Sequence, residues 1–97
     1  MNKTNNSKIS VILSVKDSEA TVGLAIESIL NQTYENFELL IMDDGSTDAT
    51  SQIVSEYLSR DKRIELLKNK ENQGLTISLN RLIQHSKGEY IARQDSD

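Results

Sequence analysis

The strongest constraint on this chain is an alternation. Four short strand-like runs, at residues 9–15, 37–42, 63–68 and 89–94, are separated by segments whose apolar residues recur at helical spacing. The first run, ISVILSV, is rich in β-branched residues and carries no charge, as expected of a strand covered on both faces. Residues 20–31 place Val22, Ile26, Ile29 and Leu30 on one stripe, with Ser18 as the expected cap. Residues 47–59 do the same with Ile53, Val54, Tyr57 and Leu58. Residues 75–86 are expected to turn Leu75, Leu79, Leu82 and Ile83 inward, with Lys87 and then Gly88 as a left-handed cap. A β-α-β-α-β-α-β order implies a parallel sheet with right-handed crossovers. The expected architecture is α/β, a Rossmann-like three-layer α/β/α sandwich with strand order 3-2-1-4. The polar residues 1–8 are read as a disordered leader, and 9–97 as one domain. A chain of 97 residues has room for no more.

In such a sheet the loops after the strands gather on one edge, where open α/β sheets bind their ligands. The second run stops abruptly at Asp43 and Asp44, followed by Gly45, Ser46, Thr47 and Asp48. Two acids there can grip a sugar or a base, or they can simply cap the next helix. Asp95 and Asp97, two apart on an extended segment, project to the same side. Paired carboxylates suit a hard divalent cation, although a D-x-D tripeptide is common. Gly74 is expected to supply a positive φ before the third helix, and Asn72 and Gly74 are candidates for the same edge. Arg81 is read as a solvated side chain, His85 as a favourable cation near a helix end, and the tyrosines as packing groups.

Composition removes other classes. The net charge of −4 argues against nucleic acid. No cysteine is present, which excludes disulfides and thiolate metal sites, and a single histidine excludes a histidine-rich zinc site. The start, MNKTNNSK, lacks the apolar core of a signal peptide, and no run approaches a membrane span, so a cytoplasmic location is expected. The loop after the first run has no glycine, which disfavours a dinucleotide-binding domain or a nucleotidyltransferase. A receiver-type signalling module would need its acid pair after the first strand rather than the second.

The stretches SVILSVKDSEATVGLAIESILNQTYENFELLIMDDGSTDAT and NQGLTISLNRLIQHSKGEYIARQDSD resemble the amino-terminal, nucleotide-sugar-binding half of a family 2 glycosyltransferase of the GT-A fold. The resemblance runs from about Lys8 to Asp97. It implies that Ser14, Val15, Lys16 and Asp17 line the base and ribose pocket. It implies that Asp44, beside Asp43, accepts a hydrogen bond from uracil or another base, with Asn72, Gly74, Arg93 and Asp95 also near the donor. It further implies that Asp95 and Asp97 hold Mg²⁺ or Mn²⁺ on the diphosphate, with Asp97 the direct ligand. The implied partner is a nucleotide-diphosphate sugar, UDP-sugar first, and the implied parent activity is sugar transfer to an acceptor hydroxyl in polysaccharide or glycan synthesis. Two departures stand out. Val15-Lys16-Asp17 replaces an aromatic-Asn loop, and the acceptor half with its general base is absent. A GT-A fold truncated in this way is expected to bind nucleotide weakly or not at all, to transfer no sugar alone, and to self-associate through the open edge at 89–94. A noncatalytic nucleotide-binding or scaffolding module is the alternative. The parent is expected in the cytoplasm, with action at the inner membrane face as an option.

Overall fold

A computed structural model describes residues 7–95. In chain order the elements are β1 (Ile9–Val15), α1 (Val22–Leu30), β2 (Phe37–Asp44), α2 (Thr50–Leu58), β3 (Ile64–Asn69), α3 (Leu75–His85) and β4 (Tyr90–Gln94). The strands are all parallel, in the order β3-β2-β1-β4 that the alternation predicts. Of the polar leader 1–8, residues 1–6 lie outside the described range, as do Ser96 and Asp97. Lys8 is tied in, its carbonyl accepting the Glu89 amide at 2.8 Å.

The alternation of each strand distributes its side chains to two cores. Val11, Leu13, Val15, Leu39 and Ile41 face α1 and α2, where Val22, Ile26, Ile29 and Val54 are fully buried. Ile12, Leu40 and Met42 face α3 and its buried Leu82. Each such aliphatic side chain contributes roughly 1.5–3 kcal/mol on burial. β2 is buried at all eight positions because both cores meet on it.

Three local expectations are corrected. Leu75 and Ile83 do not turn inward but are 50% and 43% exposed, because α3 meets the sheet along Ser78 and Leu82, with Leu79 partly buried. Gly88 is not a left-handed cap, since the positive-φ glycines are Gly45 and Gly74. Its need is space: a Cβ there would lie 2.7 Å from the Ser10 nitrogen and 2.8 Å from the Lys8 carbonyl. Finally, α2 begins at Thr50 rather than Thr47, because the preceding polar residues are spent on fastening two loops together.

Candidate functional site

Parallel strands bring their carboxyl ends to one edge, and hydrogen bonds knit three of the loops there into a rim. The β1–α1 loop meets the β2–α2 loop through Asp17. Its carboxylate accepts the Thr47 amide at 2.7 Å and the Lys16 ammonium at 2.9 Å. Its own amide donates to Ser46 Oγ at 2.8 Å. These bonds hold Asp17 at φ 47°, a left-handed conformation that Asp tolerates better than most residues. The Thr47 amide, followed by Lys16, keeps the Asp17 carboxyl below the usual range, and the contact with Asp17 raises Lys16. Farther along, Glu19 Oε1 accepts the Ala49 amide at 2.9 Å, and Thr50 Oγ1 accepts the Ser18 amide at 2.7 Å.

The β2 acids differ sharply in what they do. Asp43 is 4% exposed, and its Oδ1 accepts the Ser46 amide at 3.0 Å, forming the turn that follows the strand. Asp44 is also 4% exposed but reaches across to the β3–α3 loop. Its Oδ1 accepts Asn69 Nδ2 at 2.9 Å and the Gln73 amide at 2.7 Å, while Oδ2 accepts the Gly74 amide at 3.0 Å. Burial alone would push its pKa up, but the bonds from Gln73, Asn69 and Gly74 outweigh it and leave the carboxyl below its ordinary value. Gly74 takes φ 95° as expected. Gly45 takes φ 77° and packs so closely that a Cβ would lie 2.8 Å from the Asn72 nitrogen.

The expected residues therefore sort into groups. Ser14, Val15, Lys16, Asp17, Asp43, Asp44, Asn72 and Gly74 all lie on the three-loop rim. Val15 offers only its backbone there, because its side chain is 2% exposed within the α1–α2 core. Asn72 is exposed and accepts the Gly74 amide at 3.1 Å. Arg93 and Asp95 reach the same edge through β4, which pairs with β1 in the register Leu13↔Gln94. Their side chains are 51% and 68% exposed, with Arg93 Nη2 3.5 Å from Asp95 Oδ1. β4 and β2 flank β1, so the two acidic positions are separated by about 10 Å, two strand spacings. Asp97 lies outside the described residues.

Asn69 and Ser78 went unnoticed in the sequence. Asn69 is 5% exposed and joins Asp44 to Ser78 Oγ at 3.1 Å, with Arg81 donating to its carbonyl oxygen. The only signal was an asparagine directly after the third strand-like run, 63–68. Arg81 is exposed, but it holds this buried network from outside. Two open hollows of about 380 and 410 Å³ lie on the β3–α3 flank and share Lys68 and Arg81. Neither is lined by Ser14, Lys16 or Asp95, so the rim, where the polar groups converge, is the better candidate site. His85 is engaged with Glu65 at 2.8 Å on that flank.

Among the described residues no cluster of three metal-binding side chains occurs. Asp95 nevertheless suits a hard cation of the Mg²⁺ type. Such ions need only one or two protein carboxylates, with water and phosphate completing the shell. The Asp95 carboxylate is open to solvent and touched by one guanidinium.

Comparison with known proteins agrees with this fold. The model of glycosyl transferase family 2 matches residues 10–97. The putative glycosyltransferase EpsE of Bacillus subtilis is 47% identical over 91 residues, covering 93% of this chain and 33% of that protein. Among solved structures, S. aureus TarS in complex with UDP-GlcNAc superposes with a TM-score of 0.86 at 32% identity, covering 93% of this chain and 26% of that one. The mannosyltransferase PcManGT of Pyrobaculum calidifontis, in complex with GDP-Man and Mn²⁺, gives a TM-score of 0.89 over 95% of this chain and 28% of that one. At 23% identity that likeness concerns the fold alone. The chain thus spans about a third or less of the length of these relatives.

Proposed function

The chain belongs to glycosyl transferase family 2, and on that premise we propose that its rim binds the nucleotide-diphosphate part of a sugar donor. The observation that carries this reading is Asp44. An ionised carboxylate has about four acceptor positions, and three are filled by Asn69, Gln73 and Gly74. One position remains, which matches the single imide N–H of uracil. A guanine edge presents two adjacent donors and would need two acceptors. Ser14, Lys16 and the Val15 backbone form the neighbouring wall, and Asn72 and Gly74 the opposite one. The Asp17 carboxylate acts indirectly, by holding the loop that carries Lys16. UDP-sugar is therefore the proposed donor, in keeping with the UDP-GlcNAc bound to TarS.

Asp95 and Asp97 would hold Mg²⁺ or Mn²⁺, and the bound cation would supply charge stabilisation for the departing diphosphate. Arg93, whose guanidinium lies 3.5 Å from Asp95, orients that carboxylate and adds positive charge beside the phosphates. In the parent protein the reaction would be sugar transfer to an acceptor hydroxyl of a polysaccharide or glycan. We place it in the cytoplasm, with peripheral action at the inner membrane face as an option. Among the described residues no helix is long and apolar enough to cross a membrane. The 97-residue chain alone is proposed to bind nucleotide weakly and to transfer no sugar, because it spans only a third or less of its relatives. A second reading is a noncatalytic nucleotide-binding or scaffolding module.

Among the described residues β4 is an outer strand with none of its five residues buried, which supports self-association through this edge. Titration of the chain with UDP and GDP, each with and without Mn²⁺, tests the donor reading. UDP should bind more tightly than GDP, and Mn²⁺ should strengthen it. Equal affinity for both nucleotides, or none for either, refutes it. Sugar transfer by a longer chain carrying these residues, absent in the 97 residues alone, separates the enzymatic reading from the scaffolding one.

A further inference from the structure

One charged residue interrupts the apolar run of β2, and the rim does not use it. Glu38 is 9% exposed and lies near the amino edge of the sheet, far from Asp44. Its Oε2 accepts Ser10 Oγ at 2.5 Å and the Lys87 amide at 2.7 Å. Ser10 Oγ in turn accepts the Gly88 amide at 2.8 Å. Lys8 Nζ lies 3.8 Å from Oε1. Burial would push the Glu38 carboxyl up, but Ser10 and Lys87 outweigh it and the group stays ionised. A buried carboxylate is costly where an apolar residue would fit the strand equally well, so its partners identify what it does. Ser10 lies on β1, Lys8 directly precedes it, and Lys87 lies on the connection that leads from α3 into β4.

β4 needs such an anchor. Among the described residues it pairs with β1 alone, through five residues of which none is buried. A strand without a buried face has a weakly specified register, and a slip of one residue sends every side chain to the other face. Such a slip would carry Arg93 and Asp95 off the face they share with Ser14. Gly88 strengthens the fit, since it sits with no room for a Cβ against Ser10.

We propose that Glu38 is a positioning residue: with Ser10 it latches the Lys87–Gly88 backbone and so sets the register in which β4 delivers Arg93 and Asp95 to the rim. The latch acts from the opposite edge, about 23 Å of extended chain away from Asp95. Its consequence for nucleotide rests on the donor-site reading, whereas the register itself does not.

The test uses Glu38→Leu, Glu38→Gln and Ser10→Ala in the 97-residue chain, with NMR amide exchange and cross-strand contacts as the readout. Glu38→Leu should speed exchange of the β4 amides about tenfold or more while the Leu39–Ile41 amides change little. It should also weaken the Ile9↔Tyr90 to Leu13↔Gln94 contacts. Glu38→Gln, which keeps an acceptor for Ser10 and Lys87, should restore most of the protection. Ser10→Ala should fall between them, and it carries the test if Glu38→Leu does not fold. In parallel, the gain in UDP affinity on adding Mn²⁺ should shrink about tenfold in Glu38→Leu, beyond any loss in UDP alone from the displaced Arg93. An unchanged β4 register, or equal acceleration in β2 and β4, overturns the latch. If the unsubstituted chain gains nothing from Mn²⁺, the donor reading fails, and the exchange data still decide the register.

Discussion

Replacing Asp44 by Asn isolates the bonds that hold the rim together. The amide oxygen can take the place of Oδ1 and keep Asn69 at 2.9 Å and the Gln73 amide at 2.7 Å. The NH₂ group then meets the Gly74 amide across 3.0 Å, donor against donor. One hydrogen bond to a charged acceptor is lost, about 1.5–3 kcal/mol, and two others weaken to neutral strength by about 1 kcal/mol each. Relief of the desolvation that the buried charge suffered offsets part of this, leaving a loss of about 3 kcal/mol. For a chain of this size that is a fall in Tm of roughly 10–20 °C. Asp43→Asn is the control, because Asn supports the same turn to Ser46 and should cost less than about 1 kcal/mol. Thermal denaturation at neutral pH reads both variants, and exchange of the Gln73 and Gly74 amides reports where the damage lies. An Asp44→Asn midpoint no lower than that of Asp43→Asn refutes the reasoning.

Gly45→Ala should cost about 1–2 kcal/mol for its positive φ and about 1–3 kcal/mol more for the contact with the Asn72 and Glu71 backbone, a drop in Tm that calorimetry resolves easily. Gly88→Ala carries no positive-φ cost, yet its Cβ would strike Ser10 and Lys8, so β4 amides should lose protection before those of β2. Stability should fall on the acid side. Asp44, Glu38 and Asp61 all have lowered pKa values, so their contribution is full above the unfolded carboxylate range near 4 and fades as pH drops through their lower folded values. Denaturation midpoints followed from about pH 6 to pH 2 check this, and Asp44→Asn should flatten the slope. A midpoint that rises on acidification would contradict it.

The sheet was legible because its information is local and repetitive. Uncharged β-branched residues mark β1 to the residue, and alternation with helical stripes leaves few topologies to choose from. Gly74 was legible for a similar reason, since an N-x-G loop before a helix calls for positive φ. Failures occurred where tertiary contacts override local preference. The stripe through Leu75 and Ile83 has the right period, but α3 rests on the sheet through Ser78 and Leu82 because Asn69 draws Ser78 inward. Gly88 read as a cap because a glycine after a lysine at a helix end usually is one. Its crowding against Ser10, 78 residues away in the chain, has no local sign. At the rim, Asp43 and Asp44 were visible as carboxylates ending an apolar run, and Asp95 by its D-x-D spacing with Asp97. That Asp17 fastens a loop, and that Asp44 is three-quarters committed to its neighbours, depends on partners from other loops.

Paramagnetic broadening by Mn²⁺ in the presence of UDP tests most directly whether one edge of the sheet is the donor site. The account predicts that amides near Ser14–Asp17, Asp43–Gly45, Asn72–Gly74 and Arg93–Asp95 broaden together, and only when UDP is present. Broadening centred on the β3–α3 hollows or on the amino edge around Glu38, or the same pattern without nucleotide, would contradict it.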